Sequence, residues 1–218
     1  MKRILFCLTI VVTLLVSSCS IKQHVHFKND WSGSLSYDID MGSLQDMMGG
    51  DSTAGAGIGS VLGDSGEFTT AMEALKVSPG LTNIVVEEDT VKGTFHIAFD
   101  FADLATLNDV MSGSGLGSLS TSTNENSDHT YFLLKKNKLT YKMPPMDQTS
   151  DEEMGQMDGM MSMITFELNI SFDKKVKKIK SKTNAVISST NKEVIWKPDF
   201  EKLSKGEAGN EIQIILEK

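Results

Sequence analysis

Cysteine is nearly missing from this chain. Among 218 residues there are two, Cys7 and Cys19, both within the first twenty, so no disulfide framework spans the remainder and the fold must stand on its apolar core. Aromatic side chains are sparse at 7 %, and the 13 methionines are expected to do much of the core filling in their place. Positive charge is in deficit, with 21 Lys and Arg against 29 Asp and Glu, which argues against nucleic acid as a partner and against peripheral binding to anionic lipid. No apolar run reaches the roughly 20 residues of a permanent membrane helix. There is no His-Glu-x-x-His, no Gly-x-Ser-x-Gly and no phosphate loop, and the glycine cluster Gly55 to Gly63 misses the dinucleotide spacing. The expectation is therefore a protein that is not an enzyme and carries no cofactor.

What is present begins at the N-terminus. Lys2 and Arg3 precede the apolar residues 4 to 16, and the small pair Ser17 and Ser18 leads into Cys19. Charge, apolar stretch and small residues are the three parts of a secretory signal. A cysteine directly after the small residues resembles the lipobox of bacterial lipoproteins. The resemblance implies that residues 1–18 are removed, that Cys19 is the lipidation site, carrying a diacylglyceryl group and an N-acyl chain such as palmitate, and that residues 19–22 form a lipidated tether. Two or three chains at about 0.8 kcal/mol per buried methylene hold a domain on a bilayer. Ser20 in place of aspartate implies, by the sorting rule of enteric bacteria, the outer membrane, and Ser20 to Gln23 lack the acidic cluster used for surface export, which favours a periplasm-facing domain. A plain cleaved signal with an incidental cysteine is the alternative. Cleavage would leave 200 residues with a formal charge of 19 − 29 = −10.

Residues 23–218 are expected to form a single α+β domain. Gly33 to Met41 alternate strictly, with Leu35, Tyr37, Ile39 and Met41 on one face, and a shorter strand over 24–28 precedes them across the turn residues Asn29 and Asp30. Ser43 to Met48 reads as a short helix. The same order recurs sixty residues on: 33–40 aligns without a gap on 93–100, and Leu44 to Met48 echoes Leu107 to Met111. A duplicated strand-turn-strand-helix unit explains this, although alternation and a turn glycine also recur by physics alone. Gly/Ser-rich tracts at 49–66 and 112–127 are expected to be mobile surface loops. Further strands are expected at 130–135, 138–143, 164–172, 185–188, 193–196 and 211–216, with the lysine-rich 174–182 as a solvated edge or turn. About ten strands and two or three short helices make a mainly antiparallel sheet.

Candidate chemistry is thin. Met154, Met157 and Met161 share one helical face, and soft thioethers at that spacing suit Cu(I); the same face equally packs on a sheet or lines an apolar groove. His24 and His26 alternate onto one strand face as half of a metal site or as a solvent-facing pair, and His96 and His129 are the remaining histidines. Glu87-Glu88 and Glu152-Glu153 are adjacent in sequence and expected to point apart. Asp51-Ser52-Thr53 and Asp89-Thr90-Val91 fit a short O-glycosylation pattern.

Lys28-Asn29-Asp30-Trp31-Ser32-Gly33 before an alternating strand, together with the late Asn191 to Trp196 turn and strand ahead of Leu203 and Gly206, resembles the LppM-type lipoprotein domain. That resemblance covers the two ends of the mature chain. It implies a strand-and-helix fold that holds lipid or glycolipid, and it transfers no ligand residues. The reading that follows is a membrane-anchored lipoprotein whose partners are the membrane, through its acyl chains, and an apolar or lipid ligand. The alternatives are a structural or assembly partner of envelope proteins without a small ligand, and a Met-rich Cu(I)-handling protein.

Overall fold

Alternation in the first strand sets the architecture. Cys19, Ile21, Gln23, Val25 and Phe27 of β1 (Cys19–Phe27) are buried, and the residues between them face outward. The computed structural model describes residues 19–42, 72–89, 91–113, 129–144, 164–181, 183–199, 202–203 and 208–217. The strand starts five residues earlier than the turn-based expectation of 24–28, because the apolar alternation extends back through Ile21 to Cys19. Residues 19–22, expected as a tether, are thereby paired with both neighbouring strands.

The remaining strands are β2 (Gly33–Asp40), β3 (Leu81–Asp89), β4 (Thr94–Phe101), β5 (Phe132–Lys135), β6 (Lys138–Lys142), β7 (Ile164–Phe172), β8 (Val176–Lys180), β9 (Val186–Ile187), β10 (Glu193–Trp196) and β11 (Glu211–Leu216). A seven-stranded sheet runs β3-β4-β2-β1-β7-β10-β9, and a four-stranded sheet runs β5-β6-β11-β8. Among the described residues every strand pairing is antiparallel except β1 with β7. The α+β class expected from the sequence is the one observed, with the strands divided between two sheets rather than gathered in one. After β4 the chain alternates between sheets, so no single cut separates them. One cluster of buried residues spans both.

The helix α1 (Leu104–Gly113) is capped by Asp103, whose carboxylate accepts the Thr106 amide at 2.8 Å. That bond holds the Asp103 carboxyl below its ordinary pKa. Leu107, Val110 and Met111 face the core. Asn108 then treats β5 as a strand would: its side-chain nitrogen donates to the Phe132 carbonyl and its oxygen accepts the Phe132 amide, both at 2.8 Å. The lysine-rich 174–182 contains the edge strand β8, with Val176 buried and Lys177, Lys178 and Lys180 exposed. Ser43 to Met48, the tract 49–66, and most of 112–127 lie outside the described residues.

Candidate functional site

The large sheet has two chemically opposite faces. On the outer face, cross-strand neighbours form a charge-alternating row: Glu87 pairs with His96, His96 with Asp38, Asp38 with Lys22, and Lys22 with Glu167. His96 Nδ1 lies 2.7 Å from Asp38 Oδ1, and Lys197 Nζ lies 2.8 Å from Glu167 Oε2. The Lys197 bond is the main reason the Glu167 carboxyl is held below its ordinary pKa. A shallow cleft of about 520 Å³ opens here, lined by Lys22, Asp38, Asp40, Glu87 and His96 among others. Acids outnumber cations in that lining, so it disfavours a phosphate or carboxylate.

The histidines do not converge. His26 Nδ1 bonds Ser171 Oγ at 2.9 Å and its Nε2 faces Asp173 at 3.4 Å. His24 lies beside Asn169, and His129 sits near the Lys142 carbonyl with its ring edge-on to Tyr131. No cluster of three His, Cys, Asp or Glu able to hold a metal occurs among the described residues. Glu87 and Glu88 take successive positions on β3, opposite His96 and Phe95 respectively. Met154, Met157 and Met161, the copper candidates, lie outside the described residues, as do Glu152 and Glu153.

The inner face is built in layers, each running across the strands in register. At one end Phe27 pairs with Gly33 and Phe172, and its ring meets Trp31, Phe101, Phe132 and Phe172 at centroid distances of 5.5 to 5.9 Å. Val25, Leu35, Ile170 and Val194 form the next layer. The layer of Ile21, Ile39, Phe95 and Phe166 lies towards Cys19.

Between these apolar layers lies a polar one. Gln23 pairs with Tyr37 on one side and Leu168 on the other, and Leu168 pairs with Trp196. Tyr141, from the small sheet, packs edge-on to Trp196 at 6.0 Å. Burial raises the phenol pKa of all three of the chain's tyrosines: Tyr131 is pushed up to about 12, and Tyr37 and Tyr141 are raised well above the ordinary value, each also feeling a neighbouring phenol. Gln23 is 1 % exposed and Tyr141 0 %, yet Gln23 Nε2 and Tyr141 Oη have no hydrogen-bond partner. A buried donor left unpaired costs about 1–3 kcal/mol. The expected strand 24–28 stops one residue short of Gln23, although the spacing Ile21-x-Gln23-x-Val25-x-Phe27 places it on the apolar face.

Cys19 opens β1 on this same inner face. Its side chain is 1 % exposed and belongs to the apolar cluster, as does Met41, just past the end of β2. No family model matches the chain, and no curated protein matches it. The chain is weakly similar in structure to the folded domain of LppM from Mycobacterium tuberculosis, determined by NMR. The TM-score is 0.37 and the sequence identity 12 %, over 90 % of this chain and 88 % of that one. So distant a likeness transfers neither residues nor activity.

The remaining geometry limits the chemistry. Cys19 lies four residues along β1 from Gln23, about 13 Å at ~3.3 Å per residue. The polar layer, the apolar layers flanking it and the lipidation candidate therefore occupy one continuous interior. The ionisable outer face is separated from all of them by the thickness of the sheet.

Proposed function

We propose that this chain is an acyl-anchored lipoprotein of the bacterial cell envelope, whose two-sheet domain holds an apolar or lipid ligand and catalyses no reaction. The charged, apolar and small-residue signal before Cys19 supports the anchor, and Ser20 supports an outer-membrane, periplasm-facing location. The observation that carries the ligand reading is the position of Cys19. It is the first residue of β1, on the inner rather than the outer face, at the edge of the apolar layers. Acyl chains attached there root the domain directly against the bilayer with no spacer. They also set the apolar interior next to the source of its ligand.

Two measurements test the reading. Mass spectrometry of the N-terminal peptide from membrane-extracted protein is expected to show a chain starting at Cys19 with acyl groups attached, and Cys19→Ala is expected to lose that modification. A mature terminus without acyl mass overturns the anchor. Native mass spectrometry of the same extract is expected to show a lipid bound in addition to the covalent chains; its absence overturns the ligand.

A further inference from the structure

The small sheet gathers lysine on one surface of an acidic chain. The positions that alternate away from the core place Lys135 on β5, Lys138 and Lys142 on β6, and Lys178 and Lys180 on β8, all on its outer face. Within these four strands Glu211 is the only acid. Among the described residues none of the five lysines is ion-paired, and Lys135 stands directly opposite Lys138, a like-charge placement that destabilises a sheet by itself. The face is therefore suited to an anionic partner.

The large sheet offers such a face at the same spacing. One row across the small sheet runs Lys138, Ile215, Lys178, and one row across the large sheet runs Asp38, His96, Glu87. Each row sets two like charges two strands apart, about 10 Å at ~4.8 Å per strand, with one residue between them. Asp38 and Glu87 also line the shallow cleft of about 520 Å³, in which Asp40, Glu88 and Asp89 add to the negative side against Lys22 and His96. That lining is made for a cation. Exposed apolar side chains accompany both rows, Leu133 at 46 % on the small sheet and Val85 at 39 % on the large one.

We propose that copies of this chain stack head to tail along the membrane, the lysine face of one small sheet seated on the acidic cleft of the next copy's large sheet. The two outer faces look away from each other across the shared core, so a copy shifted along that direction without rotation brings its lysine row onto its neighbour's acid row. The same shift leaves every Cys19 on one side, as anchoring in one bilayer requires. Because the contact joins two different faces, it builds an open row rather than a closed dimer. Each exposed ion pair contributes little alone; complementary fields orient the copies, and a common membrane raises their effective concentration. The proposal rests on the acyl anchor for this shared orientation and is independent of the lipid ligand.

The experiment reconstitutes full-length membrane-extracted protein into vesicles of neutral phosphatidylcholine and reads energy transfer between copies labelled at the C-terminus. Wild type is expected to exceed the transfer of randomly scattered copies, with the excess fading as salt screens the charges. Lys138→Glu with Lys178→Glu, and separately Asp38→Lys with Glu87→Lys, are each expected to raise the surface density for half-maximal transfer about tenfold. The chain carrying all four replacements is expected to recover. Transfer at the random level in wild type overturns the stacking, and so does a face whose reversal changes nothing or a fourfold variant that does not recover. Acyl mass at Cys19 is measured on the same sample, so a failed anchor and a failed contact are told apart. Should a variant fail to fold, carbodiimide crosslinking of wild type in its own membrane decides: peptides joining Lys138 or Lys178 to Asp38 or Glu87 support the contact, and their absence overturns it.

Discussion

Tyr37 and Ile97 stand opposite each other in the β2–β4 pair, and they are sixty residues apart, the same interval at which the two strands align in sequence. β2 and β4 pair at the centre of the order β3-β4-β2-β1, with β1 outside β2 and β3 outside β4. The helix that follows β4 has its expected counterpart at Ser43 to Met48, beyond the described residues. A duplicated strand-turn-strand unit gives this order when its exposed edges pair with each other, and so do two unrelated amphipathic hairpins.

The aligned glycines Gly33 and Gly93 meet different demands. A Cβ at Gly33 would run into the His26 carbonyl and come within 2.8 Å of the Phe101 ring. Gly93 instead has φ +67°, a backbone that L-residues adopt at about 1–2 kcal/mol. Gly93→Ala is expected to cost about that much by urea denaturation, with Gly93→Asn recovering part because Asn tolerates this conformation. Gly33→Ala is expected to cost about 3 kcal/mol or more, with no recovery by Asn.

Phe27 joins four other rings at the end of the core away from Cys19. Phe27→Ala is expected to lose about 3–5 kcal/mol of unfolding free energy. A loss under ~1 kcal/mol in equilibrium denaturation would show that the cluster is not closed in solution.

Asn108 supplies both a donor and an acceptor to the backbone of Phe132. Asn108→Ala strands two polar groups at the start of β5, at about 1–3 kcal/mol. Hydrogen exchange of the Phe132 amide is expected to accelerate relative to the amides of β6; unchanged protection refutes the helix-to-strand link.

All three tyrosines are buried, and the phenols ionise later in the folded chain than in the unfolded one. Their contribution is fully present below pH ~10. Above it the unfolded state binds fewer protons, so stability falls as pH rises, by about 1.4 kcal/mol per pH unit for each phenol that stays protonated when folded. For Tyr131 the fall ends near its folded value of about 12; for Tyr141 it continues beyond. Absorbance at alkaline pH is expected to show no free-tyrosine titration near pH 10 while the circular dichroism remains native. A normal titration there would place the phenols in water.

Where alternation was strict, element boundaries were legible in the sequence. Glu193–Trp196, Glu211–Leu216 and Ile164–Phe172 match their expected spans, because period-two burial leaves few registers that bury Val194, Ile212 or Phe166. The strand 19–27 was legible only in part, since a lipobox reading claimed its first four residues as tether. The candidate site was mostly hidden: Gln23 is unremarkable until its neighbours across two strands are known.

The sequence by itself determined the acidic composition, the strands with their inner and outer faces, the sixty-residue recurrence and the charged, apolar and small-residue order before Cys19, because each is written in local spacing and charge. Only the tertiary structure decided that the strands divide into two interleaved sheets, that His24, His26, His96 and His129 stay apart, and that Gln23 and Tyr141 are each buried with an unpaired polar atom. Those outcomes depend on pairing between residues as far apart as 23 and 168, and on a face of one sheet meeting a face of the other. No local pattern encodes such contacts; burial of both apolar faces together selects them.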